Sequence, residues 1–177
     1  MSSFIEQYNI QFKGLKTSIH HFNFELTDRF FNHYENPDCP GGAIDIDMEM
    51  DKKNHLLAMS FIFHGRVRVT CDRCLEDFDM PVNFKSNLFV RFGEEGAEKD
   101  PDVIYVDQNE HHINLADYFI ESVCVNLPVR KIHPIDDSGN ETCNRDMIRK
   151  LNEHITDRDT ITNPAMEKLK DLISKKN

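Results

Sequence analysis

The sequence predicts an α+β protein in which strands come first and helices follow. Apolar and acidic side chains alternate over residues 44–51, the pattern of a strand with one buried and one wet face. Similar alternation recurs on both sides of Cys71 and Cys74, while residues 115–126 carry apolar side chains every fourth position, as in an amphipathic helix. We therefore expect an antiparallel β-sheet or partly closed barrel in the N-terminal two thirds of the chain, with packed helices mostly toward the C-terminus.

The segment before this sheet core predicts two strands and a short helix. Residues 8–12 and 18–26 are Phe- and Ile-bearing runs joined by Lys13-Gly14-Leu15-Lys16, which suggests a hairpin connection. Thr27 or Asp28 is then placed to cap a helix containing Phe30 and Phe31. The Pro- and Gly-rich loop at residues 36–42 ends it.

The middle of the chain predicts a long hairpin with the cysteines in its turn. Apolar side chains alternate over residues 57–69 and again over residues 78–92. Gly65 lies inside the first of these strands and suggests a bulge or a close approach of backbones.

The remaining residues predict short elements and a tail. An acidic loop at residues 93–102 precedes a brief strand at 103–106, and Asn114 can cap the helix that ends before Pro128. Residues 130–142 look irregular, and helices are expected at 144–154 and after Pro164. We expect a single domain over residues 1–154 and a helical tail over residues 155–177.

Composition limits the possible functions. Lys and Arg total 21 against 31 Asp and Glu, and the net charge of −10 disfavours a broad electrostatic grip on nucleic acid. No segment has the length of an apolar membrane span and the N-terminus lacks a secretion signal, so we expect a cytosolic protein. No phosphate-binding, zinc-protease, nucleophile-elbow or dinucleotide motif occurs, and we expect no enzyme.

The Cys-x-x-Cys pair is the main candidate site. Two thiolates in a tight turn can bind one ion, and His133 and Cys143 are the downstream residues able to complete a tetrahedral zinc site with Cys71 and Cys74. However, 59 positions separate Cys74 from His133, whereas compact zinc sites bring their second pair within about 15–20 residues.

Two other interpretations of the pair stay open. The thiols can be unligated structural residues, or a redox pair, although strand sequence follows them where a thioredoxin-type site needs a helix. Because a second cysteine pair is missing, the sequence slightly favours a metal-free turn. Cys124 is expected to be a buried, inert thiol on the helix, and Cys39 an uncommitted thiol in its loop.

One basic cluster is a candidate contact for RNA or another partner. It consists of residues on the hairpin and after the helix: Arg66, Arg68, Arg73, Arg130 and Lys131. The competing interpretation is that these charges simply point outward from strands.

The chain resembles a known family in Val69-Thr70-Cys71-Asp72-Arg73-Cys74-Leu75, the later acidic loop, the helix running into Leu127-Pro128-Val129-Arg130-Lys131-Ile132-His133, and Cys143. The resemblance is to the YceD family of large ribosomal RNA subunit accumulation proteins. The likeness extends over roughly residues 8–152. It implies a cytosolic bacterial factor for ribosomal RNA synthesis or processing, without established catalytic residues.

The resemblance singles out seven positions: Cys71, Arg73, Cys74, Leu127, Pro128, His133 and Cys143. Some relatives carry a second close cysteine pair that would complete a four-cysteine zinc site, whereas this chain has only Cys143 there. We therefore expect a non-enzymatic ribosome-biogenesis factor whose partner is ribosomal RNA or an early large-subunit assembly component. The alternatives are an acidic protein-interaction module without RNA contact and a thiol redox sensor using Cys71 and Cys74.

Overall fold

A computed structural model of the chain describes residues 4–93, 103–107, 109–136 and 138–154. The elements in these residues are a 3₁₀ helix Ile5–Tyr8, β1 (Asn9–Gln11), β2 (Ile19–Leu26), α1 (Asp28–Tyr34), β3 (Gly41–Lys52), β4 (Leu56–Thr70), β5 (Asp77–Phe92), β6 (Val103–Val106), β7 (His112–Asn114), α2 (Ala116–Asn126) and α3 (Arg145–His154). The predicted α+β class is confirmed. The predicted helix after Pro164 and the tail over residues 155–177 lie outside the described residues.

The described residues form two compact units that divide between His133 and Pro134. The first unit contains the sheets together with α1 and α2, and the second contains α3. The division into one domain over residues 1–154 and a separate tail stays a prediction. Within the described ranges, no helix is both long enough and apolar enough to cross a membrane.

The main sheet has five strands in the order β2-β3-β4-β5-β6. Neighbours are antiparallel except β5 and β6, which run parallel, so the sheet is mixed rather than wholly antiparallel. Its edge strands β2 and β6 do not pair with each other, and among the described residues the sheet is open, not closed into the barrel offered as an alternative.

Alternation along the long strands places the core on one face of this sheet. In β3 the side chains of Ile44, Ile46, Met48 and Met50 are buried, whereas the intervening acids are exposed. The same alternation runs through β4 and β5, and Phe63 stacks on Phe84 across them with ring centroids 4.5 Å apart. The long hairpin predicted around the cysteines is therefore present.

The predicted hairpin between the first two strands is wrong. β1 pairs with β7, Ile10 opposite Ile113, in a separate two-stranded antiparallel sheet. In the connection, Lys52 Nζ donates to the carbonyl oxygens of Phe12 and Leu15, at 2.6 and 2.7 Å. This ammonium group ties the segment after β1 to the end of β3.

Helix α2 covers the inner face of the five-stranded sheet. The fully buried ring of Phe119 lies 5.2 Å from that of Phe24 and 5.8 Å from that of Phe61, between centroids. Asn114 Oδ1 accepts a hydrogen bond from the Ala116 amide at 2.9 Å, so it satisfies one of the helix's first donors. The N-cap position itself, however, is Leu115 and not the predicted Asn114. The helix ends at Asn126, before Pro128, as expected.

Candidate metal centre

The turn between β4 and β5 is a tight knuckle formed by residues 71–76. The Cys71 amide donates to the Glu76 carbonyl, and the Cys71 carbonyl accepts from the Leu75 amide, both at 2.9 Å. Leu75 has a φ of 61°, the left-handed conformation that reverses the chain here. Both cysteine side chains are buried, at 0% and 1% exposure, yet neither belongs to the main hydrophobic core cluster.

The segment after α2 is fixed to this knuckle by two reciprocal hydrogen bonds. The Asp72 amide donates to the Lys131 carbonyl at 2.7 Å, and the Lys131 amide donates to Asp72 Oδ2 at 2.6 Å. Two residues further on, the His133 ring stacks on Phe78 of β5 with centroids 4.5 Å apart. These contacts bring His133 to the cysteine pair across 59 positions of sequence.

Three of the four predicted ligands therefore meet in the first unit. Cys74 Sγ lies 3.4 Å from His133 Nδ1, and the ligand atoms of Cys71, Cys74 and His133 all lie within 4.8 Å of one another. Around a tetrahedral zinc, with bonds of 2.0–2.3 Å, neighbouring ligand atoms are about 3.3–3.8 Å apart. The group is thus a Cys/His cluster of a size that can hold a metal ion after small side-chain adjustments.

The electrostatics of the knuckle favour thiolate at Cys71. Burial alone would raise the pKa of this thiol, but hydrogen bonds from the backbone amides of Cys74 and Arg73 and from His133 outweigh burial and lower its pKa to about 6. The Arg73 amide lies 3.4 Å from Cys71 Sγ. Because the thiolate is the form that binds metal or reacts with disulfides, the knuckle is prepared for either chemistry at neutral pH.

The fourth predicted ligand, Cys143, belongs to the second unit. This unit opens with a closed loop in which Ile135 forms a β-bridge with Glu141, and Thr142 Oγ1 donates to the Pro134 carbonyl at 2.6 Å. Cys143 follows this loop directly and is buried, with 6% exposure. Asn144 Oδ1 then accepts from the amides of Asp146 and Met147, capping α3.

The predicted basic cluster is only partly available for a polyanion. Arg66 and Arg68 both lie beside Asp79, at 3.4 and 3.9 Å, and Lys131 pairs with Asp38 at 2.7 Å. Arg130 is exposed, and Arg73 is half-buried within the knuckle. Local carboxylates therefore offset the charges of Arg66, Arg68 and Lys131.

One further pair of thiols in the first unit was not predicted from the sequence. Cys39 Sγ lies 3.4 Å from Cys124 Sγ, although 85 positions separate them in the chain. Cys124 is half-buried, and Cys39 is fully buried rather than loop-exposed. Cys124 was expected to be buried on its helix, whereas it is only partly buried, and no local pattern points from it to the loop after α1.

These observations define a class: an α+β domain whose long hairpin ends in a cysteine knuckle that meets a histidine from a distant segment. The chain belongs to the YceD family, described as large ribosomal RNA subunit accumulation protein, whose model matches residues 59–173. The resemblance stated from the sequence is thus confirmed. That description names an accumulation protein and not an enzyme. No curated protein and no solved structure matches the chain.

Proposed function

We propose that this protein is a non-enzymatic, cytoplasmic factor in ribosome biogenesis that supports the synthesis, processing or accumulation of large-subunit ribosomal RNA. The observation that carries the proposal is the family match, which includes the knuckle, His133, Cys143 and all five candidate cations. Its partner is then ribosomal RNA or an early assembly component of the large subunit. The acidic balance of the chain favours a small contact over a broad one.

The proposed contact surface consists of the cations around the knuckle. Arg66, Arg68 and Lys131 stand beside carboxylates, so they add little unbalanced positive charge. Arg130, by contrast, is exposed, and it directly precedes Lys131, whose backbone is bonded to Asp72 of the knuckle. Arg130 is accordingly the residue that we propose contributes most to binding, and Arg73 is the knuckle cation that we test together with it.

Charge reversal at these two arginines is expected to weaken association with large-subunit precursors. The Arg73→Glu/Arg130→Glu variant should copurify less precursor, and its binding should depend less steeply on salt concentration. The reason is that fewer phosphate contacts form on binding, so fewer counterions are released. The measurement is affinity capture of the tagged chain at several salt concentrations, with RNA and protein quantified separately.

A control variant with two charge reversals on the sheet distinguishes a local contact from an effect of net charge. Lys85 and Arg91 are exposed on β5, and Lys85→Glu/Arg91→Glu changes the net charge equally, from −10 to −14. We expect this control to retain binding. Equal losses in both variants would refute a local contact. If the Arg73→Glu/Arg130→Glu variant instead captures the same protein partners as the wild type, and this capture does not depend on RNA, the protein is an acidic interaction module without RNA contact.

We propose further that the knuckle holds a structural zinc ion, with Cys143 as the fourth ligand. The support is chemical: two thiolates and an imidazole are ligands that zinc prefers, and structural zinc sites are almost always four-coordinate. The loop over residues 134–142 is closed at its ends by the bond from Thr142 to Pro134. His133 and Cys143 are the residues that flank this loop in sequence. Bound zinc would neutralise the thiolates and cross-link the segments that carry them.

Protein produced with zinc supplied is expected to contain about one equivalent of zinc, and Cys71→Ser or Cys143→Ser should lose most of it. Cys124→Ser is the matched control, since this thiol lies outside the proposed ligand set, and it should retain the metal. Elemental analysis after gel filtration is the measurement. If the wild-type protein contains less than about a tenth of an equivalent of zinc, the zinc proposal is wrong and the knuckle is a metal-free turn.

Chelation of zinc is expected to loosen the knuckle but not to unfold the whole chain. A small zinc finger, by contrast, unfolds when its metal is removed. The reason for the difference is that the hydrophobic core cluster of the first unit includes neither Cys71 nor Cys74. Hydrogen exchange should then increase at residues 71–76 and 130–143 but stay slow in β3.

A thiol redox sensor is the second candidate function, favoured by the lowered pKa of Cys71. In that case air oxidation removes the Cys71 and Cys74 thiols together, and reductant restores them. Thiol titration of zinc-supplied protein under both conditions distinguishes the functions, because zinc-bound thiolates resist this loss.

A further inference from the structure

The second pair of cysteines in the first unit is placed for chemistry that the metal centre does not use. Cys39 lies in the loop between α1 and β3, and Cys124 lies in the last turn of α2. Their sulfurs are 3.4 Å apart, which is the separation of two thiols in contact. Neither residue is among the proposed metal ligands.

Neighbouring hydrogen bonds hold the two sulfurs in this position. Asn36 Nδ2 donates to Cys124 Sγ at 3.2 Å, and the Asn36 carbonyl accepts from the Cys39 amide, also at 3.2 Å. One asparagine therefore contacts both cysteines, through its side chain to one and its backbone to the other. Lys131 fixes the same loop by donating to Asp38.

We propose that Cys39 and Cys124 form an intramolecular disulfide when the folded protein meets a low-molecular-weight disulfide such as oxidised glutathione. A disulfide bond is about 2.05 Å long, so the sulfurs must approach by roughly 1.4 Å. The site is a modification site separate from Cys71 and Cys74.

The reaction consists of two thiol–disulfide exchanges. The half-buried Cys124, as thiolate, attacks one sulfur of oxidised glutathione and releases the other half, which takes up a proton. Cys39 then gives up its proton and attacks Cys124 Sγ, which releases the second glutathione. In total, the two cysteines lose two protons and two electrons, and the small disulfide is reduced to two thiols.

Burial makes the second exchange the slow one. Desolvation and the neighbouring Cys124 and Asp38 raise the pKa of Cys39 to about 12, against a smaller opposing effect of Lys131. The thiolate fraction of Cys39 at neutral pH is therefore small, and closure should be faster at pH 8.5 than at pH 7. This reactivity contrasts with the readily ionised Cys71.

The test is a peptide map of the native, zinc-supplied protein after incubation with oxidised glutathione at pH 8.5. Free thiols are alkylated, the chain is digested without reductant, and linked peptides are identified by mass spectrometry. We expect one linked pair containing Cys39 and Cys124. Because the bond closes a long loop, the oxidised protein should also melt roughly 5–10 °C higher than the reduced one.

Two variants act as controls on the linkage. Cys124→Ser removes a half-buried thiol and should abolish the linked pair, whereas the Cys71→Ser/Cys74→Ser variant should still form it. The wild-type map needs no variant, so it remains decisive even if a substitution prevents folding. Glutathione retained on Cys124 beside an alkylated Cys39, or linkage of either residue only to Cys71 or Cys74, would overturn the proposal.

Discussion

Replacing Ile46 by aspartate is expected to remove a large part of the protein's free energy of unfolding. Ile46 is 1% exposed in the middle of β3, and its neighbours Phe24 and Phe63 on the flanking strands offer no hydrogen-bonding partner for a carboxylate. The substitution forfeits the burial of an isoleucine and places an unpaired charge in apolar surroundings, a cost of more than about 4 kcal/mol. Domains of this kind are stable by about 5–15 kcal/mol in total.

The measurement is urea unfolding followed by circular dichroism. Ile62→Asp is the matched control, because Ile62 lies on the opposite face of the same sheet and is 40% exposed. It should change the free energy of unfolding by less than about 1 kcal/mol. Equal losses in the two variants would contradict the assignment of the buried face.

Alanine at Gly65 is the second change with a large expected effect, roughly 2–4 kcal/mol of destabilisation. Gly65 has a φ of 152°, which L-residues rarely adopt. An added Cβ would collide with the Ala43 carbonyl oxygen and lie 2.8 Å from the Ile44 Cα. Since both obstacles are backbone atoms of the paired strand β3, they cannot rotate away.

Gly14→Ala provides the comparison for thermal unfolding, since a Cβ there meets nothing within 4 Å. We expect Gly14→Ala to leave Tm nearly unchanged and Gly65→Ala to lower it by several degrees. A Gly65→Ala protein as stable as the wild type would mean that β3 and β4 are not in the described register.

The sheet core was predictable because its signal is local. A strand with one buried face repeats every two residues, so residues 44–51 and 57–69 indicate both the strand and its buried side without knowledge of any partner. The close approach at Gly65 was likewise one of the two structures that a glycine inside a strand suggests. The hydrogen bond of Asn114 to the start of α2 was recognisable for the same reason, since such bonds join neighbours in sequence, although the N-cap itself is Leu115.

What the sequence did not predict depends on contacts between distant segments. β1 and β7 have three residues each, too few for a period, and nothing in either indicates the other. The Cys39–Cys124 contact is of the same kind. His133 was named as a ligand because few candidates existed, whereas its position follows from the bonds between Asp72 and Lys131, which no spacing rule contains.

The pairing of β1 with β7 also determines an order of events during synthesis. Asn9 lies opposite Asn114, so β1 has no strand to join until more than one hundred further residues have left the ribosome. Strands β2 to β5, by contrast, pair with their neighbours in sequence and can form while the chain is still growing. Ile10 and Phe12, both buried in the finished fold, therefore stay exposed on the nascent chain until β7 has been made.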